Sequence, residues 1–272
     1  MTDKFLHLYR SLPWFKGKLR LGKILFKKYI DQSYPVNFKA HGGIHYHLPN
    51  TVENLGIELM INGIYEQEIV RFLKDKIPGG IVYFDIGANI GSLGLPVMKS
   101  KKNIRYYAFE ASPMVFPFLQ KNLASNGLRD YVLVNKLVHK DNQQTMKFYQ
   151  SEWYGKSSLA PTYSQEFVMV DSISMDQYCS AKNIEVIDWM KIDVQGFELY
   201  VFEGMQQMLR TGKIKNILFE FEGWAEEAAG LKAGTALNYL KHMGYELADL
   251  KGKPWVQKKD ETMIWATPKQ IN

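Results

Sequence analysis

Asp85, Gly87, Asn89 and Gly91 stand at alternate positions directly after the apolar run Val82-Tyr83-Phe84. A short apolar run that stops at an acid and a tight glycine turn is the sequence form of a buried strand opening onto a ligand pocket. A dinucleotide-binding turn needs G-x-G-x-x-G, because its second glycine lets backbone approach a pyrophosphate and the helix N-terminus carries the phosphate charge. Here Asn89 occupies that middle place and Asp85 precedes the first glycine. An anion is repelled by Asp85, whereas an ammonium or a sulfonium is attracted to it.

S-adenosylmethionine has both of those cations and no phosphate, so the turn predicts this cofactor and, with it, methyl transfer. A second acid, Glu110, ends the next apolar run at 105–109 and lies about 20 residues beyond Gly91, the distance expected of a group that accepts hydrogen bonds from ribose hydroxyls. Ser112 follows as a plausible N-cap, with Pro113 suited to the first helical turn. We count Ser112 with Glu110 on the cofactor side. The apolar run 187–192 leads into Asp193-Val194-Gln195-Gly196. In an open parallel sheet, ligands bind beyond the carboxyl ends of strands where the strand order reverses, and the strands carrying Asp85 and Asp193 are the natural pair flanking that crevice. Asp193 then has three roles open to it: holding the acceptor hydroxyl, serving as general base, or meeting the cofactor's ammonium. Lys191 inside the same run is unusual for a buried strand and is expected to reach an acid or the pocket rim.

A sugar hydroxyl is a poor nucleophile at neutral pH, so a base should assist. The candidates in order are Asp193, His139 and Glu222. His139 follows a predicted strand that ends near the crevice, and Glu222 shares a strand face with Glu220. Asp193 and Glu198 have an alternative as caps of the following helix. Ser174-x-x-Gln177 has the spacing of a capping box, which accounts for both without a ligand. His45-x-His47 has metal-permissive spacing, but two imidazoles on a strand do not make a site, and no metal is expected. Tyr178-x-x-x-Lys182 matches the pair used by short-chain dehydrogenases, yet the glycine turn that such enzymes require is missing.

The elements that must position these groups follow from periodicity. Strands are predicted at 81–85, 105–109, 131–138, 144–149, 167–171, 187–192, 214–221, 245–249 and 262–267. Helices are predicted at 65–76, 91–99, 113–125, 174–182, 197–210 and 234–243. Strand–helix alternation implies a mostly parallel sheet covered on both faces, with the last two strands as an antiparallel pair at one edge. Two apolar stretches flanking His41-Gly42-Gly43 predict a hairpin over 36–48. The polar, aromatic segment 150–166 is long for a connection and is read as a lid or substrate-binding element, or else a hairpin extension without function.

The chain has 272 residues, 46% of them hydrophobic, and a net charge of +6. That is an ordinary globular composition and excludes wholesale disorder. The single cysteine, Cys179, permits no internal disulfide and predicts a reducing, cytoplasmic setting. No apolar run is long enough to span a bilayer. The positive charge concentrates in residues 1–30, where Asp3 is the only acid, and apolar residues there recur at helical spacing. Such helices either rest on an anionic membrane face or pack their apolar stripe on the main domain with the lysines solvated. The second is the preferred expectation. No nucleic-acid-binding motif is present.

Phe84-Asp85-Ile86-Gly87-Ala88-Asn89-Ile90-Gly91, Phe109-Glu110-Ala111-Ser112-Pro113, Ser174-Met175-Asp176 and Lys191-Ile192-Asp193-Val194-Gln195-Gly196-Phe197-Glu198 together closely resemble the FkbM family of S-adenosylmethionine-dependent methyltransferases. Ile217-Leu218-Phe219-Glu220-Phe221 is similar too, and the resemblance covers about residues 65–245. It implies an α/β, Rossmann-like class I methyltransferase domain over 65–272: a seven-stranded sheet, one strand antiparallel, with helices on both faces. Residues 1–64 would be a basic helical and hairpin extension. The resemblance also implies that Asp85, Gly87, Asn89 and Gly91 surround the methionine part of the cofactor and that Glu110 meets its ribose. The implied reaction is O-methylation of a sugar in a glycan or, alternatively, of a small natural product. A nucleotide-sugar oxidoreductase or epimerase is disfavoured by Asp85 and Asn89. The family usually writes D-V-E-G where Asp193-Val194-Gln195-Gly196 stands, and Gln195 keeps the hydrogen bonding but removes a charge.

Overall fold

The computed structural model describes residues 4–257 and 262–269. The basic stretch, whose first three residues lie outside the described residues, forms helices α1 (Lys4–Ser11) and α2 (Lys18–Leu25). An antiparallel hairpin of β1 (Val36–Lys39) and β2 (His45–Leu48) follows, then α3 (Asn54–Asn62), a helix that the periodicity did not single out. From there α4 (Gln67–Lys76), β3 (Val82–Ile86), α5 (Gly94–Ser100), β4 (Arg105–Phe109), α6 (Phe116–Ser125) and β5 (Tyr131–Val134) alternate. A small accessory sheet is made of β6 (Leu137–Val138), β7 (Thr145–Tyr149) and β8 (Phe167–Ile173). Alternation resumes with α7 (Met175–Ala181), β9 (Trp189–Ile192), α8 (Glu198–Glu203), α9 (Gln206–Arg210) and β10 (Ile217–Glu220). The chain closes with α10 (Gly223–Ala228), α11 (Thr235–His242), β11 (Tyr245–Ala248) and β12 (Met263–Pro268).

Seven strands form the main sheet in the order β11-β12-β10-β9-β3-β4-β5. All pairs are parallel except those of β12, which runs antiparallel to both β10 and β11. This is the seven-stranded α/β sheet with one antiparallel strand that the family resemblance implied. The order reverses between β3 and β9, and that switch opens a crevice at the strand ends. The pleat sorts the core. Val82, Phe84 and Ile86 pack with residues of α7, α8 and α11, while Tyr83 packs on the other face with the hairpin and α3 to α6.

Four local expectations need correction. The predicted strand 131–138 is two strands in different sheets, because Asn135 turns the chain by donating to the carbonyls of Glu110 and Ala111. The helix predicted over 197–210 is broken after Glu203. There Gly204 lies so close to the His139 carbonyl that a Cβ would meet its oxygen at 2.6 Å. The capping box does not form. Asn142 from the neighbouring loop accepts the Ser174 amide and occupies Gln177, and Asp176 instead accepts the Gln207 and Met208 amides at the start of α9.

The fourth correction concerns the N-terminal helices, which do not pack their apolar stripe inward. Leu6, Tyr9 and Gly22 make the inner contacts, whereas Leu8, Leu12, Leu21, Ile24 and Leu25 stay exposed. Gly22 fixes this orientation, since a Cβ there would lie 2.2 Å from Ile61 Cγ2 on α3. Among the described residues no helix is long and apolar enough to cross a membrane.

Candidate active site

A cavity of about 450 Å³ lies beyond the carboxyl ends of β3, β4, β9 and β10. The turn after β3 forms its floor. Gly87 and Ala88 both donate their amides to the Phe109 carbonyl, at 3.0 and 2.9 Å, which locks the turn to the end of β4. Gly87 is at φ 70, and a Cβ there would lie 2.0 Å from the Asp193 carbonyl oxygen, so only glycine lets the two strand ends approach. Asn89 is left-handed at φ 52, a conformation asparagine tolerates, and its Oδ1 accepts the Ile90 amide at 2.8 Å. Gly91 completes the turn at φ 83 but does not line the cavity.

Glu110 does line it. Its carboxylate accepts the Asn89 amide through Oε2 and the Ser112 amide through Oε1, each at 2.8 Å. Burial pushes its pKa up to about 7 even though those two amides favour the charged form. Ser112, placed on the cofactor side by the sequence, faces away. Its hydroxyl accepts from the Val115 amide and from Gln150 Nε2, as a turn residue before α6.

Asp85 is the largest departure. It is 1% exposed and absent from the cavity wall. Lys191 is its register partner on β9 and sits 3.3 Å away (Nζ to Oδ1), and the Tyr106 hydroxyl donates to Oδ2 at 2.6 Å. Ala108, its partner on β4, is small enough to leave room for that tyrosine. The expected contact between Asp85 and a cationic ligand is therefore replaced by an internal ion pair. Lys191 also donates to the Gly87 carbonyl at 2.8 Å and thereby braces the cavity floor. Burial opposes its charge, but Asp85 and Asp193 outweigh that and hold the ammonium protonated.

Asp193 lines the cavity one residue beyond β9 and lies 3.8 Å from Lys191. Gln195 stands beside it at φ 55. Its Nε2 donates to both Asp193 Oδ1 (2.9 Å) and Glu220 Oε2 (3.0 Å), while its Oε1 accepts Lys156 Nζ (3.1 Å). Burial, then the neighbouring carboxylates led by Asp193, push the Glu220 pKa well up. Glu198 is a cap, accepting the Val194 and Gly196 amides, as one reading of the sequence had it.

Two proposed bases do not reach the site. His139 is buried outside the cavity, stacked on Tyr200 at 5.0 Å with Nδ1 accepting the Asp141 amide, and burial lowers its pKa. Glu222 lies past the end of β10 as the residue before α10, and it is not on the cavity wall that Glu220 lines.

The sequence missed the opposite wall. Glu53 and Glu66 flank α3 on the cavity side, and burial raises both to about 7, with Asp193 adding to the shift at Glu66. Glu66 holds a left-handed φ of 45, a strained conformation for a non-glycine residue and common at functional sites. Glu53 accepts the Gly155 amide and so ties the 150–166 segment to α3. That segment does line the cavity, through Trp153 to Leu159 and Tyr163, and its unusual length was the one signal in the sequence for this wall. Trp153, Tyr163 and Trp224 form an exposed ladder of rings at the rim, with successive centroids 6.3 Å apart. Among the described residues no group of three or more His, Cys, Asp or Glu could hold a metal ion.

The sequence profile of the methyltransferase FkbM domain matches residues 85–247, more than half of the chain. A hexuronic acid methyltransferase from Haloferax volcanii is 25% identical over 146 residues, which is 54% of this chain and 59% of that one. An antimetabolite synthetase from Pseudomonas aeruginosa is 22% identical over 235 residues, 73% of this chain and 11% of that one. The matched part thus spans less than two thirds of each curated relative. Among solved structures, a precorrin-6y C5,15-methyltransferase from Geobacter metallireducens superposes with a TM-score of 0.44 at 16% identity, covering 75% of this chain and 88% of that one. A TehB-like methyltransferase from Corynebacterium glutamicum gives 0.45 at 13%, covering 78% and 93%.

Proposed function

The chain belongs to the FkbM family of S-adenosylmethionine-dependent methyltransferases, and from that premise we propose that it methylates a hydroxyl of a saccharide. The cavity's residues fit the cofactor. The turn at Gly87 and Ala88 lines the cavity at the end of β3, drawn close to the Asp193 carbonyl because Gly87 has no side chain. Glu110 lies beside it with both oxygens oriented by backbone amides and with lone pairs left for ribose hydroxyls. Asp193 offers a carboxylate to an ammonium, and Lys191, the cation that reaches the turn, is committed to Asp85. Bound there, the cofactor supplies a methyl group already activated on sulfur.

The observation that carries the acceptor reading is the ring ladder of Trp153, Tyr163 and Trp224 over a wall rich in carboxylates. Exposed aromatic faces with negative charge density pack against the C–H faces of a pyranose, and carboxylates accept hydrogen bonds from its hydroxyls. The named activity of the Haloferax relative supports the same acceptor class. For the proton we assign Glu66. It faces the cavity, and a pKa near 7 suits a group that must be ionised yet still basic at neutral pH. Asp193 orients the acceptor hydroxyl toward it, and Gln195 keeps Asp193 in place.

Methyl transfer to a panel of neutral and acidic oligosaccharides tests this reading. We expect wild-type turnover to rise with pH through about 7 and Glu66→Gln to lose roughly 10²-fold in kcat with unchanged cofactor affinity. Transfer to none of the saccharides would overturn the acceptor; full kcat in Glu66→Gln would overturn the base.

A further inference from the structure

The N-terminal helices carry apolar side chains that the fold leaves outside. On α1, Leu8 is 64% exposed, and Leu12 just past its end is exposed too; on α2, Leu21, Ile24 and Leu25 share a side at i, i+3 and i+4, with Ile24 70% exposed. Trp14, 65% exposed, lies in the connection between them beside Phe15. These sides cannot turn inward. Arg10 is buried and donates to the Met60 and Lys39 carbonyls, Lys18 Nζ donates to the Arg10 and Leu12 carbonyls, and Gly22 seats α2 on Ile61. Two of the region's cations are thus spent on fastening the helices to the body.

Other cations face solvent: Lys4, Lys16, Arg20 and Lys27 are exposed, and no acidic residue occurs between Lys4 and Ile30. An apolar surface with a tryptophan, fringed only by cations, has the composition of an interfacial helix pair. A second copy of the chain would set these cations against each other, and nucleic acid would leave the apolar groups uncovered. We infer that residues 4–28 dock the protein onto an anionic lipid bilayer, with Leu8, Trp14 and Ile24 entering the acyl boundary and the lysines meeting the headgroups.

The docking surface adjoins the site. Lys23 Nζ on α2 lies 3.4 Å from Oδ1 of Asn54, and Asn54 lines the cavity. A saccharide carried on a lipid would therefore be presented at the cavity rim. That consequence rests on the acceptor reading above, whereas the docking itself does not.

Flotation of the full chain with phosphatidylcholine vesicles, with and without phosphatidylglycerol, tests the inference without any acceptor. We expect binding to the anionic vesicles, weakened by salt, and a drop of at least about tenfold in the variant Leu8→Ser/Trp14→Ser/Ile24→Ser. These side chains face solvent, so the variant should keep its melting temperature and its affinity for S-adenosylmethionine. Lys16→Glu/Arg20→Glu should abolish the preference for phosphatidylglycerol. Wild-type protein that stays with the unbound fraction, or a serine variant that floats as well as wild type, would overturn the proposal. So would a concentration-dependent dimer lost in the serine variant without vesicle binding, which would assign the surface to a second copy. Vesicle binding in a protein that methylates no saccharide would leave docking intact and refute only the acceptor.

Discussion

Asp85 and Asp193 end adjacent parallel strands, approach the same lysine, and have opposite surroundings. Asp85 is the penultimate residue of β3, still inside the ladder, and lies at 3.3 Å from Lys191 with a tyrosine hydroxyl covering its other oxygen. Asp193 lies one residue past β9, 3.8 Å from the same ammonium, and opens onto the cavity with a glutamine beside it. Being inside or just outside the ladder separates a carboxylate that holds the sheet together from one that is free to meet a ligand. Burial is what makes the first expensive to disturb, because a charge sealed from water must keep its partner.

The largest effect expected from breaking this contrast is Asp85→Ala. It leaves Lys191 charged, buried and short of its nearest carboxylate, and should cost about 3–5 kcal/mol in unfolding free energy. The double variant Asp85→Leu/Lys191→Met should regain most of that loss, since apolar replacement of a buried pair is often nearly neutral. Denaturant melts check both; an Asp85→Ala protein as stable as wild type would mean that the pair does not hold the sheet. Next comes Asp193→Asn. Stability should change by less than about 1 kcal/mol, because the group is partly solvated. kcat should fall about 10²-fold, and cofactor affinity should weaken with the loss of the charge facing its ammonium. A variant that is destabilised like Asp85→Ala would erase the distinction between the two acids.

A third test is a pH dependence of the cofactor-free protein. Burial raises Glu53, Glu66 and Glu110 to about 7 and Glu198 to about 8, so the folded chain keeps protons that the unfolded chain releases near the ordinary glutamate value of about 4.5. Their contribution is complete in acid and is lost as pH climbs from about 4.5 through 8. The melting temperature should accordingly be lower at about pH 8 than at about pH 6. A melt that stays level over this interval would show that these carboxylates ionise freely in the fold.

Much of the molecule was legible in the residues. The strand–helix alternation, the antiparallel pair at the edge and the crevice between the strands of Asp85 and Asp193 all follow from periodicity and from the rule on strand ends. Lys191 was recognisable because a lysine inside the apolar run 187–192 must reach an acid or the pocket rim, and the structure gives it the acid. His139 and Glu222 were misjudged because proximity in sequence to a strand end does not fix direction. His139 sits where the chain has already left the main sheet for the accessory one, and Glu222 has passed into the helix start. Glu53 and Glu66 escaped notice because they belong to no motif and reach the cavity only through packing of α3 and the 150–166 segment.

The sequence by itself determined the sheet, the glycine turn and the class of ligand, because strand periodicity and the left-handed φ that Gly87 adopts are local properties of the chain. Which acids are sealed and which are open, and which side of the N-terminal helices faces water, only the tertiary structure decided. Burial depends on what packs from elsewhere: β9 bringing Lys191 to Asp85, and Ile61 of α3 meeting Gly22.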